Sequence, residues 1–248
     1  MSTTINIDIN ADLGEGSGHD DALMPLLSSC SIACGGHYGT PSTMTTAIRL
    51  AKKHDVFIGA HPSFPDKDSF GRKVMTLSKK ELTATVLHQL NAFMTIVEKE
   101  NVVLHHVKLH GALYNLAAEN AATADAVIEA VLATGKRPKL YVLPESVLHR
   151  KAENLLPIVK EAFIDRGYSE QGTLLPRTEI GAIIDDPQRA WMQLESMVRS
   201  NSVLTPSAQR ISIAAETYCI HSDHKHAVVI LQFIRKKMHE AAIEIRKE

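Results

Sequence analysis

The chain has 248 residues, 44% of them hydrophobic and 22% charged, a composition typical of globular proteins with ample length for a large core. Its formal net charge of −1 predicts no nucleic-acid partner, since surfaces that bind polyanions carry an excess of lysine and arginine. The sequence has neither a secretory signal nor an apolar run of the roughly 20 residues that span a membrane, so we expect a cytoplasmic protein with no membrane contact.

Short runs rich in β-branched residues alternate along the chain with longer stretches of helical periodicity. The runs predicted as strands cover residues 5–10, 31–36, 56–60, 103–109, 139–143, 157–164 and 217–222. No internal repeat or long glycine/serine linker divides them. We therefore expect residues 1–248 to form a single domain.

The helices between these strands have recognisable starts. Thr40 before Pro41 places a capping residue ahead of a proline at the first helical position, and Ser78 with Glu81 forms a capping box. A last helical pattern near the C-terminus is expected to end in a solvated, charged tail. Residues 165–186 have the least regular pattern, and a connection of this length is typical of a functional loop.

The alternation of strands and helices predicts the fold class. A strand followed by a helix, repeated about seven times in a chain of this length, indicates a parallel α/β fold. The length favours a (β/α) barrel of seven or eight parallel strands. An open, doubly wound sheet is the alternative that the strand pattern leaves open.

Polar or ionisable side chains follow almost every predicted strand. They are Asn10, Asp12 and Glu15 after the first strand, His37 after the second, His61 after the third, Lys108 and His110 after the fourth, Asp165 and Arg166 after the sixth, and His221 and Asp223 after the last. In a parallel barrel the carboxyl ends of all strands meet at one face, so these groups are expected to converge on one site.

Each of these residues also has a structural interpretation. A single histidine beside a strand is more often a hydrogen-bonded structural residue than a ligand, Asp12 could cap a turn, and Asp165 could pair with Arg166. The recurrence at six strand ends favours a functional site for the group as a whole.

Several common motifs are absent, which narrows the chemistry. The stretch GEGSGH has His19 where a dinucleotide-binding loop has its third glycine. Neither a G-x-x-x-x-G-K-[ST] phosphate loop nor a G-x-S-x-G nucleophile motif occurs. The remaining carboxylates and imidazoles are typical of general acid–base or metal-assisted hydrolysis.

The three cysteines fit a reducing compartment. Cys30 and Cys34 are four residues apart, a spacing that allows a zinc pair. Buried free thiols beside a strand are the favoured interpretation.

Six segments carry a resemblance to a known family. In chain order they are DINADLGEG, IACGGHYGTPSTM, IGAHPSFPDKDSFGR, VKLHGALYN, FIDRGYSEQGTLLPR and CIHSD. Together they resemble the LamB/YcsF family from residue 5 to about residue 230. The resemblance implies a barrel of the glycoside hydrolase/deacetylase type and the role of the A subunit in a prokaryotic ATP-dependent 5-oxoprolinase. That enzyme opens the lactam of 5-oxoproline (pyroglutamate) to glutamate with ATP hydrolysis, together with the partner subunits B and C.

The chain departs from the family pattern at four positions. They are Ala11, Gly36, Leu109 and Ser222, where the family usually has Cys, Phe, Pro and Gly. Leu109 and Ser222 lie between expected site residues, so these two departures bear on the identity of the substrate.

The resemblance and the strand-end pattern together give each site residue an expected role. The expected catalytic residues are Asp12, Lys108, His110, Asp165 and His221, the substrate-binding residues are Asn10, Glu15, Tyr114, Arg166 and Arg177, and the residues for a divalent metal are His37, His61 and Asp223. Lys108 and His110 would stabilise an oxyanion, and Arg166 or Arg177 would bind the substrate carboxylate.

The sequence leaves alternatives open for the cofactor site, the partners and the activity. The missing phosphate loop implies that ATP binds either to the partner subunits or to an unfamiliar site on this chain. A homo-oligomer also stays open. The alternative functions are a stand-alone metal-dependent deacetylase of amides or carbohydrates and a non-catalytic, substrate-binding subunit.

Overall fold

The strands of the computed structural model, which describes residues 4–246, coincide with the β-rich runs of the sequence. They are β1 (Ile5–Leu13), β2 (Ser29–Ala33), β3 (Phe57–His61), β4 (Leu104–Lys108), β5 (Lys139–Val142), β6 (Ile158–Phe163), β7 (Ser202–Leu204), β8 (Arg210–Ser212), β9 (Thr217–His221) and β10 (Ile243–Ile245). All seven predicted strands are confirmed, and β7, β8 and β10 are additional.

Within residues 4–246, eight α-helices alternate with these strands, and the two predicted from capping residues, after Thr40 and Ser78, begin where expected. The helices are α1 (Asp20–Leu23), α2 (Pro41–Lys53), α3 (Lys79–Lys99), α4 (Gly111–Glu119), α5 (Ala121–Ala133), α6 (Val147–Ala152), α7 (Pro187–Ser200) and α8 (Ala227–Glu240), with a 3₁₀ turn at Met24–Leu26. The Thr40 side chain accepts a hydrogen bond from the Thr43 amide, and the Ser78 side chain accepts one from the Glu81 amide. Both caps satisfy amides that have no partner within the helix.

Seven parallel strands close into a barrel in the order β1, β2, β3, β4, β5, β6, β9 and back to β1. The closing pair runs from Asp8 opposite Thr217 to Asp12 opposite His221. The closed (β/α) barrel is therefore confirmed, and the open sheet is excluded. The expectation of a charged tail after α8 is wrong in part, because Ile243 to Ile245 pair in parallel with the beginning of β1.

Side chains alternate between two surroundings along each barrel strand. On β1, Ile7, Ile9, Ala11 and Leu13 are buried in the apolar core that includes the helices. The residues between them hydrogen-bond across the barrel interior: Asn10 donates to Glu161 of β6 and to Thr217 of β9. Parallel barrels usually fill this space with branched apolar side chains. Here the interior is a polar network that leads up to the carboxyl ends of the strands.

Two further expectations can be compared with the described residues. Cys30, Cys34 and Cys219 are buried free thiols, as expected, and burial raises the pKa of the Cys30 and Cys34 thiols. A thiol with a raised pKa is a poor nucleophile and metal ligand. No helix within residues 4–246 is both long enough and apolar enough to cross a membrane.

Candidate functional site

A cavity of about 480 Å³ opens at the carboxyl ends of the strands. Of the residues expected at the site, those that line it are Asp12, Lys108, His110, Tyr114, Arg166, Arg177 and His221. The remaining expected residues are not on the cavity wall. Each of them contacts a residue of the wall, directly or through a neighbour: Asn10, Glu15, His37, His61, Asp165 and Asp223. The structure therefore brings the strand-end residues to one face of the barrel.

Four buried side chains form a cluster beside the cavity, which we call the Glu15–histidine cluster: Glu15, His37, His61 and His110. Their potential ligand atoms all lie within 4.8 Å of one another. The Glu15 Oε1 atom is 2.8 Å from His37 Nε2, 3.1 Å from His110 Nδ1 and 3.6 Å from His61 Nε2. The ring of His37 stacks on that of His110 at 3.6 Å between centroids. Three imidazoles thus converge on one carboxylate oxygen.

Backbone carbonyls fix two of these imidazoles in orientation. His61 Nδ1 donates to the carbonyl of Lys108 at 2.9 Å, and His110 Nε2 donates to the carbonyl of Phe70 at 2.8 Å. In the neutral tautomers that these bonds assign, His61 Nε2 and His110 Nδ1 both carry lone pairs. These two atoms are 3.0 Å apart. Two facing lone pairs beside a carboxylate require a cation between them, either a proton or a metal ion.

The electrostatics keep Glu15 and His37 in the forms that bind a metal ion, whereas they favour a proton on His61. Burial works to raise the pKa of Glu15, but the close imidazoles of His110 and His37 outweigh it and hold this pKa far below its usual range, so the carboxylate is ionised. Burial lowers the pKa of His37 to about 4, so this imidazole is neutral near pH 7. Burial also opposes charge on His61, yet the neighbouring Asp12 and Glu15 carboxylates outweigh it and raise the pKa of His61.

The connection between β3 and α3 covers this cluster. Phe70 has a φ of 54° and Gly71 a φ of 64°, and this turn aims the Phe70 carbonyl at His110. A Cβ on Gly71 would lie 2.8 Å from the His110 ring and 2.9 Å from His37, so only glycine fits at this position. Phe70 also packs edge-on against both imidazoles. The left-handed backbone of a bulky residue is a costly feature that places the turn over the site.

Lys108 lies at the centre of the barrel and is 1% exposed. Its Nζ atom is 2.8 Å from carboxylate oxygens of both Asp12 and Glu161, 3.1 Å from Asn10 Oδ1 and 3.0 Å from Cys219 Sγ. An ammonium group has three donors, so these neighbours occupy all of them. The expected role of Lys108 as an oxyanion donor is not supported by this geometry. Its contacts instead hold the Asp12 carboxylate at the cavity floor.

Glu161 is a site residue that the sequence analysis missed. It lies within β6 rather than at its end, is fully buried, and also accepts from Asn10. Burial raises the pKa of Glu161, whereas for Asp12 the charges of His61 and Lys108 outweigh burial and lower the pKa well below its usual value. A charged residue at an inward position of a buried strand was the available signal.

Asp165 and His221 form a hydrogen-bonded pair at the cavity wall. His221 Nδ1 is 3.0 and 3.1 Å from the two Asp165 carboxylate oxygens, and the His221 amide donates to the same carboxylate at 3.0 Å. Burial opposes ionisation of Asp165, but His221 outweighs it and lowers the Asp165 pKa. Since Asp165 binds Nδ1, the His221 Nε2 atom is the one available to a ligand, an arrangement suited to general acid–base chemistry.

Three arginines line another part of the cavity, Arg72, Arg166 and Arg177. Arg166 donates to the carbonyls of Ala182 and Leu175, so it holds the irregular segment 165–186 against the barrel. Arg72 and Arg177 both pair with Asp223.

Asp223 therefore lies apart from the Glu15–histidine cluster. The expectation that it binds a metal ion together with His37 and His61 is wrong. The acidic member of that cluster is Glu15, a residue that the sequence analysis assigns to the substrate. Tyr114, expected to bind the substrate, lines the cavity, and its buried hydroxyl lies near the Glu161 carboxylate. Burial raises the pKa of Tyr114, so the hydroxyl stays protonated.

The fold and the site define a (β/α)-barrel protein whose cavity combines an acid–base pair with a candidate metal-ligand cluster. The chain belongs to the LamB/YcsF family, whose profile matches residues 7–248.

Curated relatives and solved structures agree with this family. The chain is 41% identical over 245 residues to a protein of Symbiobacterium thermophilum that is named as the A subunit of 5-oxoprolinase, covering 96% of this chain and 94% of the relative. A protein of the same name from Thermus thermophilus is 40% identical over 248 residues, covering 98% of this chain and 99% of the relative.

The crystal structure of a lactam utilization protein from Thermus thermophilus superposes with a TM-score of 0.91 at 40% identity, covering 98% of this chain and 99% of that chain. A family 4 carbohydrate esterase from Streptomyces lividans superposes with a TM-score of 0.53 at 8% identity, covering 99% of this chain and 94% of that chain, which shows a shared fold only.

Proposed function

We propose that this chain is the A subunit of an ATP-dependent 5-oxoprolinase and opens the lactam of 5-oxo-L-proline to L-glutamate. The observation that carries the proposal is one cavity of about 480 Å³ that presents the Asp165–His221 pair, the Asp12 carboxylate and three guanidinium groups. Relatives at 40–41% identity over nearly the whole chain support it by their name.

The substrate matches the cavity in size and chemistry. It is a five-membered cyclic amide with one carboxylate, so it needs an apolar wall, a cationic group and groups that handle protons at the amide. Leu143 and Phe163 supply apolar wall, and the arginines supply the charge. His221, oriented by Asp165, takes a proton from the water that adds to the lactam carbonyl carbon and gives it to the lactam nitrogen as the carbon–nitrogen bond breaks.

The Glu15–histidine cluster fits a divalent transition-metal ion. Its convergent lone pairs, the ionised Glu15 and the neutral His37 form a ligand set that such ions prefer. Glu15, His37, His61 and His110 would hold the ion, and when bound it supplies a Lewis acid next to the cavity. The carbonyls of Lys108 and Phe70 keep the two imidazoles aimed at it.

The nucleotide chemistry is assigned to the partner subunits B and C, because this sequence has no glycine-rich phosphate loop. Opening a lactam needs an energy source, since an amide is resonance-stabilised and a five-membered ring recloses readily. ATP hydrolysis on the partners supplies that energy.

Co-expression with subunits B and C, followed by an assay of glutamate release from 5-oxoproline with ATP, tests the proposal. We expect activity of the complex, little activity of the chain alone, and a loss of about 10²- to 10⁴-fold in the His221→Ala complex. Absence of glutamate from the complex, or full ATP-coupled turnover by the chain alone, would show the proposal to be wrong.

A metal-dependent amide hydrolase without ATP is the second candidate, favoured by the Glu15–histidine cluster. Turnover by the purified chain with a divalent metal alone would distinguish it from the first.

A further inference from the structure

Two arginines from separate parts of the chain share one carboxylate at the cavity. Arg72 Nη2 pairs with one oxygen of Asp223, and Arg177 Nη2 lies 3.7 Å from the other oxygen. Arg72 belongs to the turn after β3, and Arg177 to the irregular segment 165–186. Both guanidinium groups line the cavity. Asp223, which is not itself on the cavity wall, is thus an internal anion that competes with an anionic ligand of the cavity for these two guanidinium groups.

The local charge favours a further carboxylate. Arg72, Arg166 and Arg177 bring three positive charges to the cavity, and Asp223 is the acidic partner of two of them. Arg166 is near the other two: burial lowers its pKa, and the charge of Arg177 lowers it further. Asp165 is a second anion that acts on Arg166, so the three arginines face two carboxylates, Asp165 and Asp223. The Asp12 carboxylate is paired with Lys108, and Glu119, the other acid on the cavity wall, is exposed. The arginine wall therefore keeps an excess of positive charge.

The two arginines are held in place by their backbones. The Arg72 amide donates to the Ser69 carbonyl at 3.0 Å, and the neighbouring Gly71 carbonyl accepts from Ala112 at 3.0 Å. The segment before Arg177 is anchored near the end of β6, since the Leu175 amide donates to the Gly167 carbonyl at 3.1 Å. The Asp223 side chain is 23% exposed, so an incoming anion can exchange with it. These contacts fix the backbone from which each guanidinium group reaches the cavity.

We infer that Arg72 and Arg177 select cyclic amides that carry a carboxylate, and that Asp223 occupies these arginines until the substrate carboxylate displaces it. The inference rests on the proposed function and extends it to the specificity of the site. Binding then costs the exchange of one ion pair for another, which lowers affinity but excludes neutral lactams, because they cannot replace Asp223.

Binding of three ligands to the wild-type full chain tests the selection without any substitution. The ligands are 5-oxo-L-proline, its carboxamide of nearly the same size, and 2-pyrrolidinone, which lacks the carboxylate; the measurement is a ligand-observed NMR titration. We expect 5-oxoproline to bind about 10- to 100-fold more tightly than either neutral lactam, the usual value of a charge-assisted pair. Equal binding of the acid and its carboxamide overturns the inference.

Matched variants test the individual residues. Arg72→Gln should weaken 5-oxoproline binding about 10-fold or more and leave 2-pyrrolidinone unchanged. Asp223→Asn should tighten 5-oxoproline binding, because the internal competitor is lost. Arg49→Gln is the control, since Arg49 also forms an ion pair, with Glu100, on an exposed surface. Equal losses for both ligands in Arg72→Gln, or weaker binding of 5-oxoproline in a folded Asp223→Asn, overturn the inference.

Turnover by the complex with subunits B and C separates this inference from the proposed function. If arginine-dependent binding of 5-oxoproline occurs but the complex releases no glutamate, the proposed function is wrong and the selection stands. If the complex is active and Arg72→Gln raises neither KM nor the preference for neutral lactams, the selection is wrong and the function stands.

Discussion

At the scale of single residues, the pair of acids around Lys108 governs the barrel interior. Asp12 and Glu161 each place an oxygen 2.8 Å from the same ammonium group. Burial alone would favour the protonated acids, but His61 and the Lys108 ammonium together keep Asp12 ionised at the cavity floor. Burial likewise opposes charge on Lys108, and the surrounding anionic groups outweigh it and raise its pKa. The cation is therefore part of the fold as well as of the site.

Replacing Lys108 by Met should destabilise the chain. It would leave two buried carboxylates without their cation, a change that typically costs about 3–5 kcal/mol. The measurement is urea unfolding at pH 7. The double variant Lys108→Met/Glu161→Gln should recover part of the loss, because only Asp12 then lacks the ammonium group, and His61 still lies 3.5 Å from it. An unfolding midpoint of Lys108→Met equal to that of the wild type would contradict this account.

Asp165 makes a pH-dependent contribution to stability. Its pKa is lowered in the folded chain, so as the pH falls the unfolded chain, with an aspartate pKa of about 3.9, takes up the proton first. The contribution is complete above that value and is lost as the pH falls through the lower, folded pKa. Asp165→Asn should therefore show a shallower loss of unfolding free energy below about pH 4. Asp185→Asn, at an exposed position, controls for the removal of one acidic group. Parallel acid profiles of the wild type and Asp165→Asn would contradict the prediction.

At the scale of elements, the sequence predicts the barrel strands because apolar runs and polar ends mark the same boundaries. His61 and Lys108, which end β3 and β4, are read directly from this pattern. Glu161 was missed because it interrupts an apolar run without ending it. Arg72 and the Phe70 carbonyl lie in an irregular connection, whose path depends on tertiary contacts and has no periodic signature.

The start of α3 is an element that the sequence specifies fully, and it supplies a quantitative test. The Ser78 side chain accepts from the Glu81 amide, while the Glu81 carboxylate accepts from Ser78. Ser78→Ala should lower the free energy of unfolding by about 1 kcal/mol, the usual value of a lost cap. Ser42→Ala, an exposed position within the first turn of α2, should change it by less than about 0.5 kcal/mol. Equal effects of the two variants in urea unfolding would show that the cap contributes nothing.

At the scale of the whole molecule, folding and site assembly are the same event. The Glu15–histidine cluster takes its residues from the ends of β1, β2, β3 and β4, which lie side by side only in the closed barrel. The sequence alone could place each residue at a strand end, but it could not show that Glu15 rather than Asp223 would meet the imidazoles. That choice depends on the path of the connections after β1 and β9.

Because the cluster exists only in the folded chain, a metal ion that binds it should stabilise the whole molecule. Linkage gives about 4 kcal/mol when the free ion exceeds its Kd a thousandfold, which raises the Tm of a chain of this size by several degrees or more. The measurement is calorimetry of chelator-treated chain with and without added Zn²⁺, Co²⁺ or Ni²⁺. His110→Asn should lose the rise, because it removes one of the convergent lone pairs. His88→Asn should keep the rise in Tm, since His88 is exposed on α3 and does not belong to the cluster. No rise with any of the three ions, or an equal rise in His110→Asn, would show that the cation between these imidazoles is a proton.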